Sequence, residues 1–213
     1  MTNLAQNNAR RPPLQLAGYL ARRAIRMEIC VWQSLYRFIC RRPRVPPRAV
    51  GFSYHQQVFQ VLITFIVLAA IEIPLFDLIV HRWVYVRIPL LVAGIWGLTW
   101  MVGLLLGFLT RPHAVGPEGI RVRNGAEVDI PLSWPDVYSV SRKTTGPERQ
   151  PRITHEPDGT TVRFPIQHET NIEIELERQL DVRLPQGREQ VRRLQIYVDD
   201  HKGFLKAVRE HLV

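Results

Sequence analysis

Cysteine is nearly absent: Cys30 and Cys40 are the only two among 213 residues. Their separation fits no metal-binding motif, and they read as free thiols. Lysine is missing from residues 1–50, where ten Arg face a single acid, Glu28. Charge is missing altogether from Ile88–Leu109. Recognisable catalytic chemistry is missing too. The seven His are scattered, and His168-Glu169 has no second His at the spacing a zinc helix needs. There is no phosphate-cradling Gly-x-x-x-x-Gly-Lys-Ser/Thr and no Gly-x-Ser-x-Gly. Gly116-Pro117-Glu118-Gly119 reads as a turn and not as a cofactor loop. The expectation is a non-enzymatic protein with no cofactor and no metal site.

What is present is apolar length. Val58–Val80 runs for 23 residues with Glu72 and Asp77 as its only charges, and Ile88–Leu109 runs for 22 with none. At about 1.5 Å per residue each covers roughly 30 Å, the thickness of a bilayer's hydrocarbon core. The seven residues His81–Arg87 join them. The pattern predicts a transmembrane helical hairpin over 51–111. No cleavable leader is expected, because residues 1–15 are polar and the first apolar run begins far into the chain.

The net charge of +9 resides on residues 1–50; beyond them acids and bases balance. Basic flanks stay cytoplasmic, so both termini are expected inside a cell membrane, with the loop and its Trp83 and Tyr85 at the outer interface. Residues 1–13 read as disordered. Over 14–40, Ile25, Ile29, Trp32, Tyr36 and Ile39 form an apolar stripe at helical spacing. Arg22, Arg23, Arg26, Arg37 and Arg41 fall on the opposite arc, and Arg42, Arg44 and Arg48 follow in a Pro-rich linker that ends the helix. A basic amphipathic helix beside a span is expected to lie in the interface, its arginines on anionic headgroups. Packing on the C-terminal domain or on a second subunit is the alternative. Nucleic acid is not expected as a partner.

Within the first span Glu72 stands out. A carboxylate there must be protonated, paired or turned to a polar cavity. In an antiparallel hairpin it lies level with 96–99, so Trp96 and Thr99 are its expected donors. Asp77 and His81, four apart, are placed to pair near the outer edge. Gly103-x-x-x-Gly107 in the second span is a small-residue seat for the first span or for a second copy.

From Ile120 the period changes from 3.6 to 2. Asn124-Gly125 predicts a two-residue hairpin, and Pro157-Asp158-Gly159 a second turn. About seven short antiparallel strands are expected, then a helix to about 212 with Phe204, Leu205, Val208 and Leu212 inward and an N-cap from Asp199 or Asp200. One helix closing a small bent sheet or barrel is the architecture of a pleckstrin-homology-like (PH-like) domain.

The runs PHAVGPEGIRVRNGAEVDIPLSWPDVYSV and TNIEIELERQLDVRLPQGREQVRRLQIYVDDHKGFLKAVREH resemble uncharacterised actinobacterial integral membrane proteins, in which a PH-like domain follows a two-helix hairpin. The resemblance covers roughly residues 55–213. With the segment 14–50 read as a basic amphipathic helix and Pro/Arg linker, the expected fold is an α+β membrane protein: that helix, a hairpin (51–111, spans 58–80 and 88–109) and, as the resemblance implies, a PH-like β-barrel or sandwich (112–213) of about seven strands capped by the last helix. The resemblance carries no reaction. PH-like domains bind lipids, peptides or proteins, here through an exposed edge strand or the groove beside the last helix. Arg121 and Arg123 are balanced by Glu127 and Asp129, which argues against a specific phosphoinositide. The expected function is a membrane-anchored scaffold or regulatory module whose partner is a membrane or cytoplasmic protein or the lipid surface. The alternative is an accessory subunit of an oligomeric channel or transporter built on Glu72, which requires a homo-oligomer or a larger assembly.

Overall fold

A computed structural model of the chain describes residues 13–40, 45–125, 128–146, 152–185 and 187–212. Helix α1 spans Pro13–Ile39, α2 Gln56–Ile79 and α3 Val84–Leu109. Both α2 and α3 are long and apolar enough to cross a membrane. Pro74 and Pro89 are carried inside α2 and α3.

The three helices form a row with α3 in the middle, packed against both α1 and α2. On α2 the half-buried residues Leu62, Ile66, Ala69, Ile73 and Asp77 recur every three or four positions, marking the stripe that meets α3. No residue of α2 is buried, whereas Gly103, Leu105, Leu106 and Gly107 of α3 are.

The remaining elements are β1 Val50–Phe52, β2 His113–Gly116, β3 Gly119–Asn124, β4 Val128–Leu132, a 3-10 turn at Trp134–Asp136, β5 Val137–Thr145, β6 Ile153–Glu156, β7 Gly159–Phe164, β8 Thr170–Leu184, β9 Gly187–Ile196 and α4 His201–Arg209. One sheet has the order β1-β2-β3-β4, the other β5-β8-β9-β7-β6. Their inward faces share one apolar core, in which Val122, Ile172, Ile174, Leu194 and Ile196 are fully buried. Helix α4 closes it with Phe204 and Val208, and the Phe204 ring meets Phe52 edge-on at 5.3 Å.

Several expectations change. Among the described residues there are nine strands, and β7 and β9 pair in parallel, so the sheets are not purely antiparallel. Strand β1 precedes α2 yet pairs with β2, which follows α3. The helical pair is therefore inserted into the sheet domain. The segments around 172–176 and 182–184 belong to one strand, β8, with an irregular register between Glu175 and Leu180. Asn124 pairs with Val128, leaving three residues in the turn, and Gly125 (φ 57°) takes the left-handed conformation in place of an Asn-Gly pair. Helix α4 stops at Arg209 and leaves Leu212 exposed. The expected disorder of residues 1–13 lies outside the described residues except for Pro13, which is helical.

Candidate functional site

The best-built polar constellation lies where α2 and α3 join the sheets. Asp199, three residues beyond the end of β9, turns toward the start of α2. Its carboxylate accepts the backbone N–H of His55 at 3.1 Å and that of Gln56 at 3.3 Å, and its own N–H donates to the Ser53 carbonyl at 2.9 Å. Free N–H groups at a helix start seek an acceptor, and a carboxylate also complements the helix dipole. Asp200 caps α4 instead, accepting from Gly203 N–H at 2.9 Å. Gln57 donates to the Tyr197 hydroxyl at 3.0 Å, and Gln167 donates to the Gln57 carbonyl at 3.2 Å. Gln167 and His168 both hold positive φ (47° and 74°) in the tight turn closed by Ile166 and Glu169. Such backbone costs free energy in residues other than glycine.

Beneath α3 the same junction is buried. Tyr54 is 1 % exposed and His113 2 % exposed, with ring centroids 4.6 Å apart. The Gly125 N–H donates to the Tyr54 hydroxyl at 2.9 Å. Arg123 N–H can only donate, so the His113 Nδ1 it meets at 3.0 Å is the acceptor. The proton then sits on Nε2, which donates to the Tyr197 carbonyl at 3.2 Å. Burial pushes the His113 imidazole down to about 4, against the pull of that carbonyl bond, and pushes the Tyr54 phenol up to about 12. His113 is thus a neutral structural link inside the fold.

Along the long helices the expected pairings are rearranged. Trp96 Nε1 donates to Glu28 of α1 at 3.3 Å, and Trp32 donates to the same oxygen at 3.1 Å. The Thr99 hydroxyl donates to the carbonyl of Ile95 at 2.8 Å. Neither serves Glu72, which is exposed and without a partner among the described residues. The reason is that α1 occupies the flank of α3 on which Trp96 projects. Asp77 takes a bidentate bond from Arg87, at 2.6 and 2.8 Å, and not from His81, whose Nδ1 lies 2.7 Å from the Leu78 carbonyl. This ion pair closes the turn between α2 and α3.

The glycine seat is filled by α1. A Cβ on Gly103 would lie 2.2 Å from Val31 Cγ1, and one on Gly107 would lie 3.5 Å from Ser34 Oγ. Residues 28, 31 and 34 meet 96, 103 and 107 in order, so α1 and α3 run the same way. The helix therefore packs along α3, neither on the C-terminal sheets nor apart from the hairpin. Its stripe of Ile25, Ile29, Trp32, Tyr36 and Ile39 stays exposed. Arg22 and Arg48 are exposed and Arg37 is half-buried. The side chains of Arg23 and Arg26, and all of Arg41, Arg42 and Arg44, lie outside the described residues.

On the outer face of the second sheet a shallow polar cleft of about 330 Å³ is lined by Lys143, Thr161, Arg163, Glu173, Arg193 and Gln195 among others. Its charges are internally matched: Lys143 with Glu173 at 2.8 Å, and Arg193 with Glu156 at 2.9 Å and with Asp158. No cluster of three His, Cys, Asp or Glu suited to a metal occurs among the described residues. No protein-family model, curated protein or solved structure matches the chain.

Proposed function

We propose that the chain is a membrane-anchored, non-enzymatic module that holds its PH-like sheet domain against the inner face of the cell membrane. There the domain engages a protein partner or the lipid surface. The observation that carries this reading is the insertion of the apolar helical pair between β1 and β2. The outward surfaces of α2 and α3 are mostly apolar, with Glu72 the one exposed charge in the middle of α2. Both their roots are tied into the sheets: α2 by the Asp199 cap, α3 by β2 and His113. A domain so tied cannot swing away on a loose linker, which suits presentation at a fixed height above the bilayer. Arg37, near the domain end of α1, and Arg48, in the segment that follows it, would supply charge for anionic headgroups. The edge strand β5, with Tyr138 exposed, offers a row of backbone groups for an added strand.

Cross-linking of the full chain in native membranes through Lys143, Lys202 and Lys206 tests the reading. Recurrent links from these lysines to one inner-face protein, or to anionic lipid, are expected. Links confined to the chain itself would contradict it.

The second reading, an accessory subunit of a channel or transporter, is favoured by the lack of a partner for Glu72 among the described residues. A water-accessible assembly centred on that carboxyl is what it requires.

A further inference from the structure

Helix α2 carries two stripes. The half-buried one meets α3. The other consists of Val61, Phe65, Leu68, Glu72, Leu75 and Ile79, at intervals of 4, 3, 4, 3 and 4. It lies roughly a quarter-turn away from the first. Its five apolar members are all exposed. Alternating 4 and 3 is the spacing of a two-helix coiled-coil seam, and a single polar residue in such a seam fixes register and partner number. Because α3 covers only the first stripe of α2, the seam is left open on the flat side of the row.

We propose that this seam pairs two copies of the chain side by side, α2 against α2, with the two Glu72 carboxyl groups hydrogen-bonded to each other at the crossing. The inference rests on the membrane placement proposed above. A second copy fits because the seam is complementary to itself. A neutral carboxyl both donates and accepts, so two of them related by a two-fold axis satisfy each other. Among the described residues no ion pair reaches Glu72, and Arg87, the cation at the start of α3, is held by Asp77. The donors expected within the chain are also engaged, Trp96 by Glu28 and Thr99 by Ile95. A polar group facing lipid is costly, and bonding between helices removes that cost.

The test uses the full chain with Cys30→Ser and Cys40→Ser, purified and reconstituted alone in phosphatidylcholine vesicles. Leu75→Cys should form a disulfide-linked dimer under mild oxidation. Val67→Cys, exposed on another face, should not. Adding Glu72→Leu to Leu75→Cys should lower the dimer fraction roughly tenfold, while Glu72→Gln, which keeps a donor and an acceptor, should preserve it. Equal cross-linking at 67 and 75, no dimer at 75, or an unaffected Glu72→Leu variant would overturn the pairing. So would a dimer seen only in native membranes, since another protein would then be covering the seam. Alkaline carbonate washing of native membranes is run first. A chain released by it overturns the membrane reading and the pairing together. A chain retained yet monomeric overturns the pairing alone.

Discussion

Gly103→Ala is expected to pry α1 from α3. The added Cβ would stand 2.2 Å from Val31 Cγ1, 3.1 Å from Val31 Cβ and 3.3 Å from Val31 Cα. Val31 is β-branched and stiff, and it is only 6 % exposed, so the methyl has no room to rotate away. The backbone contact means that the helix itself must move by several tenths of an ångström. Overpacking of this kind costs about 1–3 kcal/mol. Applied to docking of α1, that is a loss of roughly 5- to 150-fold in the docked-to-undocked ratio. Hydrogen exchange of the α1 amides in detergent or nanodiscs reads that ratio directly. The structure also supplies a graded control. Gly107→Ala meets only Ser34 Oγ at 3.5 Å, and Gly97→Ala meets nothing within 4 Å. Both should leave protection close to wild type. Val31→Ala added to Gly103→Ala removes the closest atom and should restore most of the lost protection. Unchanged α1 protection in Gly103→Ala, or an equal loss in Gly97→Ala, would refute the packing argument.

Three further outcomes are expected. Asp199→Ala removes the acceptor for His55 and Gln56 N–H and should cost about 1 kcal/mol, seen as faster exchange in the first turn of α2 with the sheets unaffected. His113, neutral when folded, should make stability depend on pH. Above about 6.5 its imidazole is neutral in both states. Between about 6.5 and 4 only the unfolded chain gains the proton, and stability falls by up to about 3 kcal/mol; below that the slope ends. Chemical unfolding across this range should show that loss in wild type and not in His113→Asn. Gly119→Ala is expected to unfold the first sheet: Gly119 holds φ +136° and an added Cβ would lie 1.9 Å from the Leu132 carbonyl oxygen. A loss above about 3 kcal/mol, measured by thermal unfolding, is the size expected for combined strain and backbone clash.

Length and charge made the helical pair readable, because two long runs nearly free of charge have few alternatives. Alternation made the core readable as well: Ile120, Val122, Val128, Ile130, Leu132, Ile172, Ile174 and Leu176 are all buried. What escaped was pairing between distant segments. Three residues, Val50-Gly51-Phe52, are too short to show a period, yet they form the edge strand that ties the helices into the sheet. The exposed Glu177-Arg178-Gln179 breaks the alternation of β8 and makes one strand look like two. Parallel pairing of β7 with β9 leaves no local trace. Trp96 was paired with Glu72 on the assumption that the first span was its neighbour. The four-residue spacing of Glu28 and Trp32 was the signal that a polar pair already existed on α1, and Gly103 with Gly107 marked where that helix would sit. Of the two cap candidates before the last helix, Asp200 takes that role and Asp199 reaches α2 instead, a long-range contact with no local signal.

The most direct test is the side of the membrane on which each segment lies. Fluorescent and alkaline-phosphatase reporters fused at the C-terminal end of the chain, and a phosphatase inserted between Arg82 and Trp83, read this in cells. A fluorescent C-terminal end with an active phosphatase at the turn is the predicted result. An outside C-terminal end, or a turn that stays inside, would contradict a hairpin that enters and leaves the bilayer at the roots held by Asp199 and His113.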